Sequence, residues 1–455
     1  MRGNSGLGRR MGYGHIGRAT VACVALGLAF AACGRPVGVA RPTDAGASTS
    51  VDVDLPEAPT LAGAVPEPSA PSPTAIDPMQ LHIGRAVYAR FCALCHGPTA
   101  EGYAADNAPS LVSQTFLESA SDAFLHASIA RGRPGTAMAG YGAEIGGPLA
   151  GQQIDAIVAL LRSRGVAPLH VPPRPAAGNP AAGELLYNAK CVECHGTVAQ
   201  RMNAVHLFNP QLLASADDGF LRHAIERGRP GTRMLPFVGV LSPEQIDAIL
   251  AYLRKAAPPL PERPSPWMPP SDATPLAQPA TATEPGMPPG MPATPRPTGP
   301  VVLHPHGKAP VFKLRDERYA PIDAVAKALK DKRRLIVLDA RAPSDFDMMH
   351  ITGSIVTPYY DKKSLDVVPN DGTWVIAYCA CPHHASGEVV DELKRRGHKN
   401  VAVLDEGVFA WNAKGYPVVK SPSAPQFAAP PPLPDPHAGH GHAHPGHGEP
   451  GHRPH

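Results

Sequence analysis

The sequence predicts a multidomain chain: two all-α domains, then one α/β domain with a parallel sheet, joined by proline-rich linkers. Three observations carry this. One helical pattern occurs twice in the first half of the chain. A later segment alternates short Val- and Ile-rich runs with a helical stretch. The 56 prolines gather in blocks that lack hydrophobic periodicity. With 455 residues there is room for several domains, and aromatics at 5% suit several small cores better than one large one. The 42 basic and 39 acidic side chains leave a formal charge of +3. That balance points away from nucleic acid and from strongly acidic partners.

Residues 1–33 read as a signal peptide. Arg2, Arg9, Arg10 and Arg18 form a basic start, and "ATVACVALGLAFAA" (19–32) is an apolar run too short to span a bilayer comfortably. "FAAC" resembles a bacterial lipobox with Phe30 in place of the usual Leu, which makes Cys33 the candidate lipidated residue. Cys23 falls inside the discarded run. The mature chain is expected in the periplasm, tied to a membrane through its lipid. Residues 34–78 are rich in Pro, Ala and Ser and read as a tether.

The two copies occupy 79–165 and 179–257, with a short linker at 166–178. "AVYARFCALCHG" aligns with "LLYNAKCVECHG", "DAFLHASIARGRPGTAM" with "DGFLRHAIERGRPGTRM", and "QIDAIVALLR" with "QIDAILAYLR". The offset falls from 99 (86 to 185) to 96 (122 to 218) to 92 (153 to 245), so the differences fall in loops. Spacing of this kind marks a duplicated domain. In the closing helices, Ile154, Ile157, Val158 and Leu161 share one face, as do Ile246, Ile249, Leu250 and Leu253.

Each copy holds one C-x-x-C-H motif: Cys92, Cys95 and His96, then Cys191, Cys194 and His195. On a helix these positions share a face. Two thiols there can form thioethers with the vinyl groups of one haem, and the adjacent imidazole reaches the iron from the same side. A zinc site would need two more ligands at suitable spacing, and neither copy has a second cysteine pair. The spacing therefore predicts two covalently bound haems c. The second axial ligand is expected from later in each copy. Met138 and Met234 occupy the same aligned position after "RGRPGT", and thioether ligation raises a haem's reduction potential. Met202 and His206 compete with Met234 in the second copy only.

Together the copies resemble class I cytochrome c over about 160 residues. The resemblance implies a small helical fold with the haem edge near the surface. It implies that carbonyls at Pro109 and Pro210 orient the axial histidines. It also offers Arg131/Arg133 and Arg227/Arg229 as propionate partners. The expected partners are redox proteins of an envelope electron-transport chain.

Residues 258–300 form a second proline-rich linker. At roughly 3.1 Å per residue in polyproline II, it is long enough to hold domains tens of ångströms apart. In 301–422, "RLIVLDAR" (334–341), "TWVIAYC" (373–379) and "NVAVLDEG" (400–407) read as buried strands, and "SGEVVDELKRRG" (386–397) as a helix. Functional loops of parallel sheets sit at the carboxyl ends of strands, and "CACPHHAS" (379–386) lies there. This segment resembles rhodanese through "LDARAPSDFDMMHITGSI" (338–355) and "NVAVLDEGVFAWNAKGYPV" (400–418). The resemblance implies that Cys379 is a nucleophile carrying a persulfide. The loop departs from the family's pattern: it is one residue longer, Cys381 is extra, and His383 and His384 stand where the family has an arginine. Three uses stay open: sulfur transfer at Cys379, a redox or metal-binding Cys379/Cys381 pair, and an inactive loop. The tail, 423–455, is low in complexity and rich in histidine, a candidate site for copper, nickel or zinc.

The reading that results is an exported dihaem electron carrier with an appended sulfur domain. Two alternatives stay open: a sulfur-processing enzyme whose haems exchange the electrons, and a module that binds a metal or sulfur partner.

Overall fold

The computed structural model describes residues 76–102, 108–169, 177–260, 301–380 and 383–421. The signal segment with Cys33, most of the two proline-rich linkers, Cys381 and the histidine-rich tail lie outside these residues.

The first copy is helical: α1 (Pro78–Phe91), α2 (Ala93–His96), α3 (Gln114–Leu117), α4 (Asp122–Arg131) and α5 (Gly151–Arg162). The second repeats it: α6 (Pro180–Lys190), α7 (Val192–His195), α8 (Pro210–Ser215), α9 (Asp218–Arg227) and α10 (Pro243–Ala256). The first helix of each copy starts on a capping carboxamide or carboxylate, Asp77 or Asn179, followed by proline at its first position. It crosses the last helix of its copy closely, α1 on α5 and α6 on α10. Glycine permits this. A Cβ on Gly84 would collide with the carbonyl of Ala156, and one on Gly183 with that of Ala248. The apolar faces expected on the closing helices are buried: Ile154, Ile157, Ile249 and Leu250 are at most 1% exposed.

The two copies pack on each other about a pseudo-twofold, α3 against α9 and α4 against α8. The equivalent rings of Phe124 and Phe220 meet at 4.4 Å. The equivalent guanidinium groups of Arg133 and Arg229 lie over these rings, at 5.6 and 5.5 Å. Desolvated cation–π pairs of this kind are worth about 2 kcal/mol each. The same two arginines also hold the chain by hydrogen bonds. Arg133 donates to Ser128 Oγ and the Gly132 carbonyl, and Arg229 donates to the Thr115 carbonyl of the other copy. Burial pushes both guanidinium groups down to about 10.

The third segment holds β1 (Tyr319–Ala320), α11 (Ile322–Lys330), β2 (Leu335–Asp339), α12 (Pro343–Met348), β3 (Met349–Ile351), β4 (Ile355–Val356), β5 (Trp374–Tyr378), α13 (His384–Arg395), β6 (Val401–Leu404), α14 (Gly407–Ala413) and β7 (Val418–Lys420). Five strands form a parallel sheet in the order β1-β6-β5-β2-β4. β3 and β7 pair separately and antiparallel. The three expected strands are present, and β2 and β5 are nearly wholly buried. α13 begins two residues before the expected serine start. His383 precedes it with φ 87°, and Ser386 is buried inside the first turn.

The second linker is long enough to hold the domains apart. Instead the third segment docks on the first copy. Tyr359 donates its hydroxyl to the Phe91 carbonyl at 2.8 Å, and Arg90 donates to the Tyr360 carbonyl at 2.7 Å. Ser344 donates to the Gly140 carbonyl at 2.6 Å. The rings of Phe91 and Tyr360 meet edge to face at 4.8 Å, worth about 0.5–1.5 kcal/mol beyond area burial. Arg201 of the second copy lies 5.0 Å from the centre of the Phe409 ring on α14.

Candidate functional site

Each C-x-x-C-H motif sits on the short helix that follows the first long one, because the chain breaks at Cys92 and Cys191 and restarts one residue later. Gly97 and Gly196, both at φ 80°, then turn the chain away. The Tyr88 and Tyr187 hydroxyls each donate to the carbonyl of that glycine at 2.8 Å. None of the four motif thiols is in a disulfide, and all four are partly buried. Burial, reinforced by the neighbouring Cys95, pushes the Cys92 thiol up to about 12, and burial with Cys194 pushes Cys191 to about 11.

His96 is 7% exposed, and its Nδ1 bonds the Pro109 carbonyl at 2.9 Å. His195 Nδ1 bonds the Val205 carbonyl at 2.7 Å. The expectation for Pro109 holds, and that for Pro210 is corrected. Pro210 begins α8, where its carbonyl belongs to the helix, and the shorter loop of the second copy presents Val205 instead. In both copies the carbonyl fixes Nδ1 and turns Nε2 toward a ligand position. Burial lowers both histidines below their ordinary value, against the opposing effect of the carbonyl bond, so the rings are neutral at neutral pH.

The methionine loops match in detail. Arg133 N donates to the Met138 carbonyl at 2.7 Å, Thr136 Oγ1 to the Arg133 carbonyl at 2.7 Å, and Met138 N to Thr136 Oγ1 at 3.1 Å. In the second copy the corresponding bonds of Arg229, Thr232 and Met234 measure 2.8, 2.7 and 3.0 Å. Gly132 and Gly228, at φ 62° and 63°, lie too close to the returning backbone for a side chain. Both methionines are half-buried. The competitor His206 is 4% exposed, with Nε2 bonded to the Thr197 carbonyl at 2.8 Å.

Family models fit these elements. The model described as cytochrome C oxidase, cbb3-type, subunit III matches residues 80–161 and 178–253, and the rhodanese-like domain model matches 322–414. The chain carries two cytochrome c domains and a rhodanese-like domain. It is 28% identical over 166 residues to the cbb3-type cytochrome c oxidase subunit CcoP of Azospirillum sp., covering 32% of this chain and 53% of that one. It is 37% identical over 78 residues to the dihydro-heme d1 dehydrogenase of Pseudomonas aeruginosa, covering 17% and 16%. The chain thus spans about half the length, or less, of these curated relatives. Among solved structures it is similar to a rhodanese-like domain from Anabaena sp., at 22% identity over 23% of this chain and 79% of that one, TM-score 0.22. Another is the reducing HAO-like protein complex of Kuenenia stuttgartiensis, at 18% identity over 39% and 96%, TM-score 0.27. Cytochrome c domains carry covalently bound haem c and exchange electrons with partners of an electron-transport chain.

In the rhodanese-like domain, Cys379 directly follows β5 and is 2% exposed. Its Sγ lies 3.3 Å from Ser386 Oγ in the first turn of α13, and its carbonyl accepts from Val408 N at 3.0 Å. His383 does not stand free in place of the family's arginine. Its Nε2 bonds Asp405 Oδ1 at 3.0 Å, and its ring lies against that of Tyr319 at 4.1 Å. Arg315 clamps the same Asp405 at 3.0 and 3.1 Å. Burial lowers the His383 pKa despite this carboxylate.

Sequence reading passed over several residues that hold these sites. Tyr88/Tyr187, Gly84/Gly183 and the arginine ties of Arg162/Arg254 recur at equivalent positions. Arg162 Nε bonds Asp122 and Arg254 Nε bonds Asp218, both at 2.7 Å. Comparing the repeats column by column would have found them.

Proposed function

We propose that the chain is an exported dihaem c-type cytochrome, held at a membrane through Cys33, whose rhodanese-like domain carries sulfane sulfur on Cys379. The observation that supports this best is the duplicated frame: each motif histidine oriented by a carbonyl, each followed by a methionine loop with the same hydrogen bonds. Cys92 and Cys95 would hold one haem, and Cys191 and Cys194 the other. His96 with Met138, and His195 with Met234, would hold the two irons. The haems supply one-electron transfer. The protein orients the imidazoles and keeps them neutral. Ser386 donates a hydrogen bond to an anionic sulfur on Cys379.

Peptide mapping after exposure of the intact protein to polysulfide tests the sulfur reading. One added sulfur on Cys379 supports it, and an unmodified Cys379 overturns it. Two haems per chain that survive acid–acetone extraction support the cytochrome reading. Release of the haem into the solvent would refute it. Periplasmic membrane association that disappears in Cys33→Ser tests the anchor.

A further inference from the structure

The first cytochrome domain sits on the edge of the sheet where Cys379 lies. Ser344 follows β2, Tyr359 and Tyr360 follow β4, and α13 follows β5, so all three contacts leave the carboxyl ends of parallel strands. Ser344 and Tyr359 bind the backbone at Gly140 and Phe91, the Tyr360 carbonyl accepts from Arg90, and α13 lies against α2, the helix of Cys95 and His96. Tyr359 packs against both apolar clusters, the one that includes Cys379, Val389 and Val390 on one side and the cytochrome core on the other.

Two further features bear on what reaches Cys379. Its near-complete burial favours a small donor over a bulky one or a protein acceptor. The guanidinium groups that the rhodanese-like domain brings around the loop are already matched by carboxylates: Arg315 with Asp405, Arg318 with Asp391, Arg341 with Asp339. A dianionic donor has no unmatched cation there among the described residues, whereas a small monoanion needs none.

We propose that the first cytochrome domain and the rhodanese-like domain form one composite site, in which hydrosulfide is oxidised onto Cys379 as a persulfide. The inference rests on the reading of Cys379 as a sulfur carrier. The balance is Cys379–S− + HS− → Cys379–S–S− + H+ + 2e−. An S–S bond forms between Sγ and the incoming sulfur, the S–H bond breaks, and its proton goes to water. The two electrons leave singly to ferric c-type haem, one for each cytochrome domain. Ser386 Oγ steadies the anionic sulfur. The second domain presents exposed Lys190 and Glu193 where the first presents Phe91 and Leu94, so its motif face is left open for onward transfer.

The test adds sodium sulfide to the fully oxidised, full-length protein without oxygen. It follows haem reduction by absorbance and Cys379 by mass spectrometry. Two haems reduced per persulfide formed is the expected result, with the rate falling on the order of tenfold or more in Cys379→Ser. Tyr360→Ala, which loosens the dock, should lose sulfide-driven persulfide formation while still accepting sulfur from polysulfide. Equal haem reduction in wild type and Cys379→Ser, without persulfide, overturns the proposal. If polysulfide loads Cys379 and sulfide does not, the composite site falls and the carrier reading stands. If neither loads it, the carrier reading falls too.

Discussion

The two cytochrome domains keep the same internal frame and differ in what touches them. The tyrosine on the turning glycine, the arginine tie to Asp122 or Asp218 and the methionine loop repeat with nearly equal distances. The outer faces have diverged. The first domain offers Phe91, Gly140 and Tyr141 to the rhodanese-like domain, while the second has exposed Lys190 and Pro236 and half-buried Phe237 at those positions. Its neighbouring Leu235, Val238 and Val240 are exposed as well. Duplication has preserved the residues that surround a ligand and changed those that meet a neighbour.

The largest effects should come from removing one motif at a time. Cys92→Ala/Cys95→Ala and Cys191→Ala/Cys194→Ala should each halve the covalent haem, measured as pyridine haemochrome per chain. Only the first variant should also loosen the rhodanese-like domain, because α2 and not α7 packs on α13. Equal loosening in both would erase the asymmetry.

Axial substitution is the next step down. Met138→His and Met234→His should each lower one midpoint potential by on the order of 100 mV, within the roughly 0.8 V that axial ligands span. A potentiometric titration with both midpoints unchanged in Met138→His would show that Met138 does not reach the iron.

The faces can be exchanged directly. Phe91→Lys carries the second domain's residue into the first and places a charge against Tyr360. It should weaken docking by about 2–4 kcal/mol, seen as separate unfolding of the rhodanese-like domain. The reverse change, Lys190→Phe, falls on an exposed face and should cost within about 0.5 kcal/mol. Similar costs for both would mean that the dock contributes little.

Much of this was legible because local chemistry wrote it into the chain. The C-x-x-C-H spacing, the aligned methionines and the β2 and β5 runs each announce themselves within a few residues. What the sequence concealed depends on tertiary placement. Pro210 looked like the equivalent of Pro109, but the shorter loop of the second copy moved the orienting carbonyl to Val205. His383 looked free to bind an anion, but the fold brings Asp405 to it from after the next strand. The dock of Tyr359 and Tyr360 joins residues about 270 positions apart, and no periodicity records such a pair.

The smallest effect concerns pH and sharpens the comparison at its far end. The first domain reaches the sheet edge through Tyr359 and α13, whereas Asp405, the partner of His383, immediately precedes the α14 segment that Arg201 of the second domain touches. Burial lowers the His383 pKa, with Asp405 opposing only in part. The unfolded chain, with histidine near 6.5, therefore takes up the proton first. Stability contributed by neutral His383 is present above about pH 6.5 and declines as pH falls toward the lower folded value. His350 and His398, also lowered by burial, contribute with the same sign, so the slope should flatten rather than vanish when one is removed. His383→Asn tolerates the positive φ and should flatten it. Phe91→Lys should change it less, because Phe91 meets Tyr360 and not His383. Denaturant titrations between about pH 7 and 5 measure both slopes. An equally flattened slope in Phe91→Lys would mean that docking of the first domain is what buries His383, and an unaltered slope in His383→Asn would remove that histidine as the titrating group.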